Sequence, residues 1–403
     1  MRLSGPELKS YTLSFTPGGA DGVLSLIENR MRAPVEKPGT KTHFLALDGL
    51  RGVAALLVVI YHVFEAYFPD QPLTQPVNHG YLAVDFFFLL SGFVIAYAYD
   101  DRWTTLSTTD FFKRRLIRLQ PMVIAGSIVG AIFFYPQASD LYPLIAGTPL
   151  WQLLLVMVVG CTLIPLTPGL DIRGWSEMHP LNGPAWSLFF EYVANILYAL
   201  VLRRLSRTFL AILTLLAAAL LVQVAVFGES GTVIGGWSLD ATQLHIGFAR
   251  LLFPFLAGML LMRTGWHVRL PAAFGLSSML LVIALAMPRL GGSEHPWVNG
   301  AYEALCIMLV FPLVIAIGAG TREPGKASLR IASTLGRLSY PIYITHYPLI
   351  YLYRAWAHRT QPSAMIGASV GAGLLLAAIA IAWSLTVFYD EPVRRWLARK
   401  VLR

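Results

Sequence analysis

Leu47-Asp48-Gly49-Leu50-Arg51-Gly52-Val53-Ala54-Ala55, continued by an apolar run to Tyr61-His62, is the stretch that decides the fold. It lies in an apolar block near 44–66, whose length is what a bilayer demands of a helix, roughly 17 to 25 residues. Outward from it, ten further blocks follow near 81–99, 119–135, 143–164, 184–202, 208–227, 243–262, 270–287, 299–318, 335–353 and 364–388. The 403-residue chain is 56% hydrophobic and 13% charged, about half the charge of a soluble domain. This reads as an all-α polytopic membrane protein. The formal charge of +9 is expected of loops on the cytoplasmic side and calls for no nucleic acid. Two cysteines, Cys161 and Cys306, leave no disulfide framework and no cysteine-based zinc site, and no other metal site is expected.

Loop charges set the topology. Arg2, Lys9, Arg30, Arg32, Lys37 and Lys41 keep the polar segment 1–43 inside. That segment is read as a mobile cytoplasmic tail without a signal peptide, with Met31 as a second candidate start. The segment 67–80 has neither Lys nor Arg and belongs outside, whereas Arg102, Lys113, Arg114, Arg115 and Arg118 place the next connection inside. If 143–164 crossed, Arg203, Arg204 and Arg207 would fall outside. A re-entrant or interfacial 143–164 restores the alternation. The expectation is therefore about ten transmembrane helices plus one re-entrant or interfacial helix. The membrane domain covers 44–390, a basic cytoplasmic tail follows at 391–403, and both termini face the cytoplasm.

Ionisable side chains at bilayer depth are functional candidates. Arg51 and His62 are eleven steps apart, close to three helical turns, so they share one face about 16 Å apart along the axis. Asp48 and Glu65 fall on or near the same face. The ordinary role of a lone membrane histidine is a packing hydrogen bond, but four ionisable groups on one stripe favour a site. Ser187, Glu191, Asn195 and Tyr198 make a second polar stripe, equally suited to a structural ladder. Asp85 precedes Phe86-Phe87-Phe88, and Ser91-Gly92 marks close helix packing. Arg250 is expected to pair with one of these carboxylates, and His346 is a weaker candidate. The topology puts His62, Asp85, Glu191 and Arg250 toward the outside. Arg51 falls near the inner end with Arg115 and Arg118, where forked guanidinium groups suit phosphate.

The segment from Leu47 to His62 closely resembles the start of the acyltransferase-3 family of integral membrane O-acyltransferases, whose hallmark of Arg, ten residues and His is matched by Arg51 and His62. Asp85 to Phe93 is similar to its second-helix signature, and Arg115-Leu116-Ile117-Arg118 to its RxxR element. Trp186-Ser187-Leu188 with Glu191, Ser339-Tyr340 through His346, and Glu391-Pro392-Val393-Arg394 resemble later motifs. Pro341, directly after Ser339-Tyr340, and the long N-terminal segment depart from the pattern.

The resemblance implies acyl transfer, often acetyl, from acyl-CoA as co-substrate to a hydroxyl, with no tightly bound cofactor. The implied acceptor is a carbohydrate, a lipid-linked glycan or a related exported molecule, at the bacterial inner membrane. His62 is then the general base on the acceptor hydroxyl, a task suited to imidazole. Glu191 or Asp85 orients it or binds acceptor hydroxyls, Arg51 stabilises the oxyanion or grips the coenzyme, and Arg115 and Arg118 hold phosphates. A covalent acyl-histidine remains open at this stage. So does a proton-coupled transporter or exporter built on the same His and carboxylate cluster.

Overall fold

The computed structural model describes residues 43–68, 75–321 and 326–402. The segment expected as an N-terminal tail falls almost wholly outside them. Among the described residues the fold is all-helical, with a single isolated bridge between Ser139 and Tyr142 as its extended pairing. The helices are α1 Leu45–Tyr67, α2 Ala83–Tyr99, α3 Thr108–Ile132, α4 Leu150–Gly160, α5 Ala185–Leu200, α6 Arg207–Phe227 and α7 Ala241–Thr264. After them come α8 Ala273–Ala286, α9 Pro296–Leu305, α10 Phe311–Ala319, α11 Lys326–Thr345, α12 Tyr347–Thr360, α13 Ala364–Leu385 and α14 Glu391–Val401. π-helical turns, Cys306–Val310 and Thr386–Asp390, join α9 to α10 and α13 to α14.

Seven stretches are long and apolar enough to cross a membrane: 45–67, 80–99, 108–132, 207–227, 241–264, 296–319 and 364–401. Three of the ten expected crossings do not meet that standard. The helices at 185–200 and 273–286 are too short, spanning about 24 and 21 Å against a hydrocarbon core of roughly 30 Å. The block at 335–353 is broken at His346. Pro348 stands in the first turn of α12 and has no N–H to give to the carbonyl of Ile344. That carbonyl instead accepts a 2.7 Å bond from Asn182 Nδ2. The block at 143–164 contains only the eleven-residue α4, about 16 Å long. Its Leu150, Trp151, Leu155 and Val158 are exposed.

Two boundaries differ from the expected ones for local reasons. α3 starts eleven residues early because Ser107 caps it, its Oγ accepting from Asp110 N at 3.0 Å. Lys113, Arg114, Arg115 and Arg118 therefore ride on a helix rather than in a connection. At the other end, the π-helical turn carries the helix past 390, so most of the expected basic tail is α14.

α1 runs through the middle of the bundle and touches α2, α8, α10, α11, α12 and α13. Its closest neighbour is α11, and Gly52 makes the approach possible. A Cβ there would lie 2.4 Å from the Leu335 carbonyl oxygen. α2 and α7 meet in the same way through Gly92 and Gly258, whose added Cβ atoms would fall 2.1 Å from Phe255 O and 2.0 Å from Leu89 O. Small residues at such crossings let backbones pack in the absence of a hydrophobic drive between helices.

Candidate active site

The two ends of the α1 stripe meet different surroundings. At one end, His62 Nδ1 lies 2.7 Å from Glu65 Oε2, one turn along the same helix. An ionised carboxylate only accepts, so Nδ1 carries the proton and Nε2 presents a lone pair. Arg354 of α12 reaches the Glu65 carbonyl at 3.4 Å and stacks 4.9 Å from the Trp175 ring. His62 is packed edge-on to Tyr347, at 4.7 Å between centroids, and stacked on His346 at 5.5 Å and 27°.

His346 occupies the break between α11 and α12. Its Nδ1 sits 2.9 Å from the Tyr343 carbonyl and 3.1 Å from that of Ile342. Both partners are acceptors, so this imidazole too holds its proton on Nδ1. Its Nε2 is buried without a hydrogen-bond partner among the described residues. Two stacked imidazoles thus share one tautomer, with the proton of each on Nδ1. The interruption at Pro348 falls at His346, which keeps helical backbone angles between α11 and α12.

At the other end, Arg51 ties α1 to α11. Its Nε donates to Ser339 Oγ at 2.8 Å, and its Nη2 reaches Gly336 O and Asp48 Oδ1, each at 3.2 Å. Its side chain is still 24% exposed, Asp48 26%, Glu65 25% and His62 16%. The ionisable stripe of α1 is therefore partly open rather than sealed in the packed interior.

The carboxylates expected beside His62 lie elsewhere. Asp85 is held by a fork from Arg250, Nε to Oδ1 at 3.2 Å and Nη2 to Oδ2 at 2.7 Å, with both side chains 2% exposed or less. Arg250 also donates to Tyr81 O and Gly235 O. The expected Arg250–carboxylate pair therefore forms, and it removes Asp85 from the imidazole. Glu191 pairs with Arg115 at 2.5 Å and accepts from Ser91 Oγ at 3.2 Å. It belongs to the arginine end, and Glu65 takes the place beside His62.

Arg115 is correspondingly buried and occupied, whereas Arg118 is exposed and has no carboxylate partner among the described residues. Arg118 lies within electrostatic range of Arg51, Arg115 and Arg394. Arg394, read from the sequence as part of the basic ending and of the motif Glu391-Pro392-Val393-Arg394, thereby joins this end. Periodicity carries no sign of it, since α14 is reached only through the π-helical turn.

A polar knot covers the His62 end. Arg173 is fully buried, 3.5 Å over the Tyr351 ring, and donates to Pro180 O and Gln137 Oε1. Tyr351 OH donates to Glu177 Oε2 at 2.5 Å. Burial pushes the Glu177 carboxyl up to about 7, against the opposing pull of Arg173. Among the described residues, no cluster of three or more His, Cys, Asp or Glu could hold a metal ion.

The acyltransferase-3 family model, an acyltransferase domain, matches residues 44–387, most of the chain and both ends of this stripe. The chain belongs to the acyltransferase-3 family. It is similar to O-acetyltransferase OatA of Staphylococcus aureus, 23% identical over 340 residues, which are 78% of this chain and 52% of that protein. It thus spans only about half of OatA. Acyltransferase MdmB of Streptomyces mycarofaciens is 26% identical over 388 residues, 88% of this chain and 92% of MdmB. Protein 2 in the picA locus of Rhizobium radiobacter is 37% identical over 167 residues, 39% of this chain and 81% of that protein. No solved structure matches. The acyltransferase-3 match contains Arg51, His62, Arg115, Arg118, Glu191 and His346. Asp390, Glu391 and Arg394 lie beyond its end.

Proposed function

We propose that this membrane protein is an O-acyltransferase that moves an acyl group, acetyl by preference, from acyl-CoA to a hydroxyl of a glycan or related exported molecule. The observation that carries the reading is the His62–Glu65 pair, an imidazole whose Nδ1–H is held by a carboxylate and whose ring is stacked on a second, buried imidazole. The name of OatA supports acetyl as the group moved.

In this reading His62 Nε2 removes the acceptor hydroxyl proton as that oxygen attacks the thioester carbonyl. Glu65 holds the ring and stabilises the imidazolium that forms. When the tetrahedral intermediate collapses, the carbon–sulfur bond breaks and His62 returns its proton to the leaving thiolate. The products are the ester and free coenzyme thiol. His346, fully buried, backs the His62 ring and helps fix its position.

Arg51, about 16 Å away along the helix, is too distant to serve the oxyanion at His62, so the donor's far end falls to it. The phosphates of the donor then meet Arg118, whose charge has no counter-ion among the described residues, while Arg115 is spent on Glu191. With the arginine end cytoplasmic by the positive-inside rule, the donor enters from the cytoplasm, and the acceptor meets His62 from the opposite side.

The test is thiol release by purified protein in detergent, given acetyl-CoA and a hydroxylated acceptor. A transporter releases none. Folded His62→Ala protein is expected to be inactive, and full activity in that variant removes the base assignment.

A further inference from the structure

The five guanidinium groups at the arginine end are unequally provided for. Arg51 has Asp48, Arg115 has Glu191, Arg337 has Glu391 at 2.6 Å, and Arg394 has Asp390 at 3.1 Å. Arg118 has none among the described residues. A donor that carries a diphosphate and a further phosphate brings more negative charge than one guanidinium can match. A second ligand is therefore to be sought among the four that are paired.

Three of them are spoken for. Arg115 is buried, Arg51 is tied to Ser339, Gly336 and Asp48, and Arg337 links α11 to α14. Arg394 differs. A single bond joins its Nη1 to Asp390 Oδ2, and the side chain is 42% exposed. Of its five N–H donors, four have no partner among the described residues.

The way the chain builds this pair is specific. The π-helical turn Thr386–Asp390 rotates Asp390 inward, where it is 3% exposed, and leaves its Oδ1 without a partner. Single-turn π-helical insertions interrupt the regular ladder and recur at functional sites. The turn and α14 both pack on α3, the helix that carries Arg118. Arg118 lies within electrostatic range of Arg394 and of Asp390 alike.

We propose that Arg394 is a second phosphate ligand for the donor and that Asp390 is its positioning residue. Asp390 keeps its bond to Nη1 and holds the guanidinium toward Arg118, while the remaining N–H groups fork onto a phosphate oxygen pair. No buried charge is displaced when the donor binds. This rests on the acyl-CoA reading above.

Catalytic efficiency is measured with acetyl-CoA and with S-acetylpantetheine phosphate-free donor, on full-length protein in nanodiscs. Arg394→Ala is expected to lower the ratio of the two efficiencies about tenfold through KM for acetyl-CoA, the loss of a charge-assisted contact. Arg394→Lys recovers part of it, and Asp390→Asn lowers the same ratio a fewfold. Equal losses with both donors make Arg394 a structural residue and overturn the inference. So does a loss that follows the anionic lipid content of the disc instead of the donor, which assigns Arg394 to a lipid headgroup. Wild-type protein that turns over acetyl-CoA alongside a donor-blind Arg394→Ala sinks only this inference. Wild-type protein inactive with every acyl-CoA sinks the donor reading too.

Discussion

Removing the Glu65 carboxylate tests the site at its narrowest point. Glu65 makes a 2.7 Å bond to His62 Nδ1, and a hydrogen bond to a charged group contributes about 1.5–3 kcal/mol. That bond strengthens as His62 becomes imidazolium, so its loss falls on the transition state rather than on substrate binding. Each 1.4 kcal/mol is a tenfold change in rate, so Glu65→Ala should lower kcat between tenfold and a hundredfold. Glu65→Gln keeps the shape and a neutral acceptor, worth about 1 kcal/mol less than the ionised one, and should lose about tenfold or somewhat under. KM for acyl-CoA should stay near the wild-type value in both, because the arginine end lies three turns away. The assay is steady-state thiol release at saturating donor, normalised to monodisperse protein. A kcat for Glu65→Ala within twofold of wild type would mean that the carboxylate does not serve the imidazole, and the base assignment built on its tautomer would fall with it.

Arg118→Ala should raise KM for acyl-CoA about tenfold or more with little change in kcat, read from donor titrations; an unchanged KM leaves Arg118 as a topology marker. Asp85→Ala strands the Arg250 guanidinium, 2% exposed, and should cost about 3–5 kcal/mol of stability, seen as a lower melting temperature in detergent. Gly258→Leu drives a side chain into the Leu89 carbonyl and should abolish the monodisperse fold, whereas Gly275→Ala, with open space around it, should not. Glu177, raised from 4.5 to about 7, favours folding in its protonated form. The stability it adds to the 161–184 segment is complete below about pH 4.5 and is lost as pH rises through about 7. Hydrogen exchange there, corrected for intrinsic rates, should be slower at pH 6 than at pH 8, and Glu177→Gln should flatten the difference.

How much of the site is legible in the chain depends on the range of the interaction concerned. The pairing of Glu65 with His62 follows from helical spacing, because i and i+3 side chains on a helix are neighbours wherever the helix goes. The shared face of Arg51 and His62 has the same origin. The partners of Asp85 and Glu191 have no such rule. Glu191 sits on a polar helix face and Asp85 on an apolar helix, and their ion pairs with Arg115 and Arg250 bridge 76 and 165 residues of chain. The expectation that either would meet His62 failed for that reason.

From the sequence alone came an all-helical membrane protein, the stripe on α1 and membership expected from its motifs. These rest on composition and local periodicity, which every segment carries with it. The tertiary structure decided the rest. It broke the 335–353 block at His346 because Pro348 withholds a donor, and so set a second imidazole on His62. It left Arg118 without a counter-ion among the described residues by giving Glu191 to Arg115, and brought Arg394 to it through the π-helical turn. Which charges meet depends on how helices cross, and those crossings depend on where glycines let backbones touch.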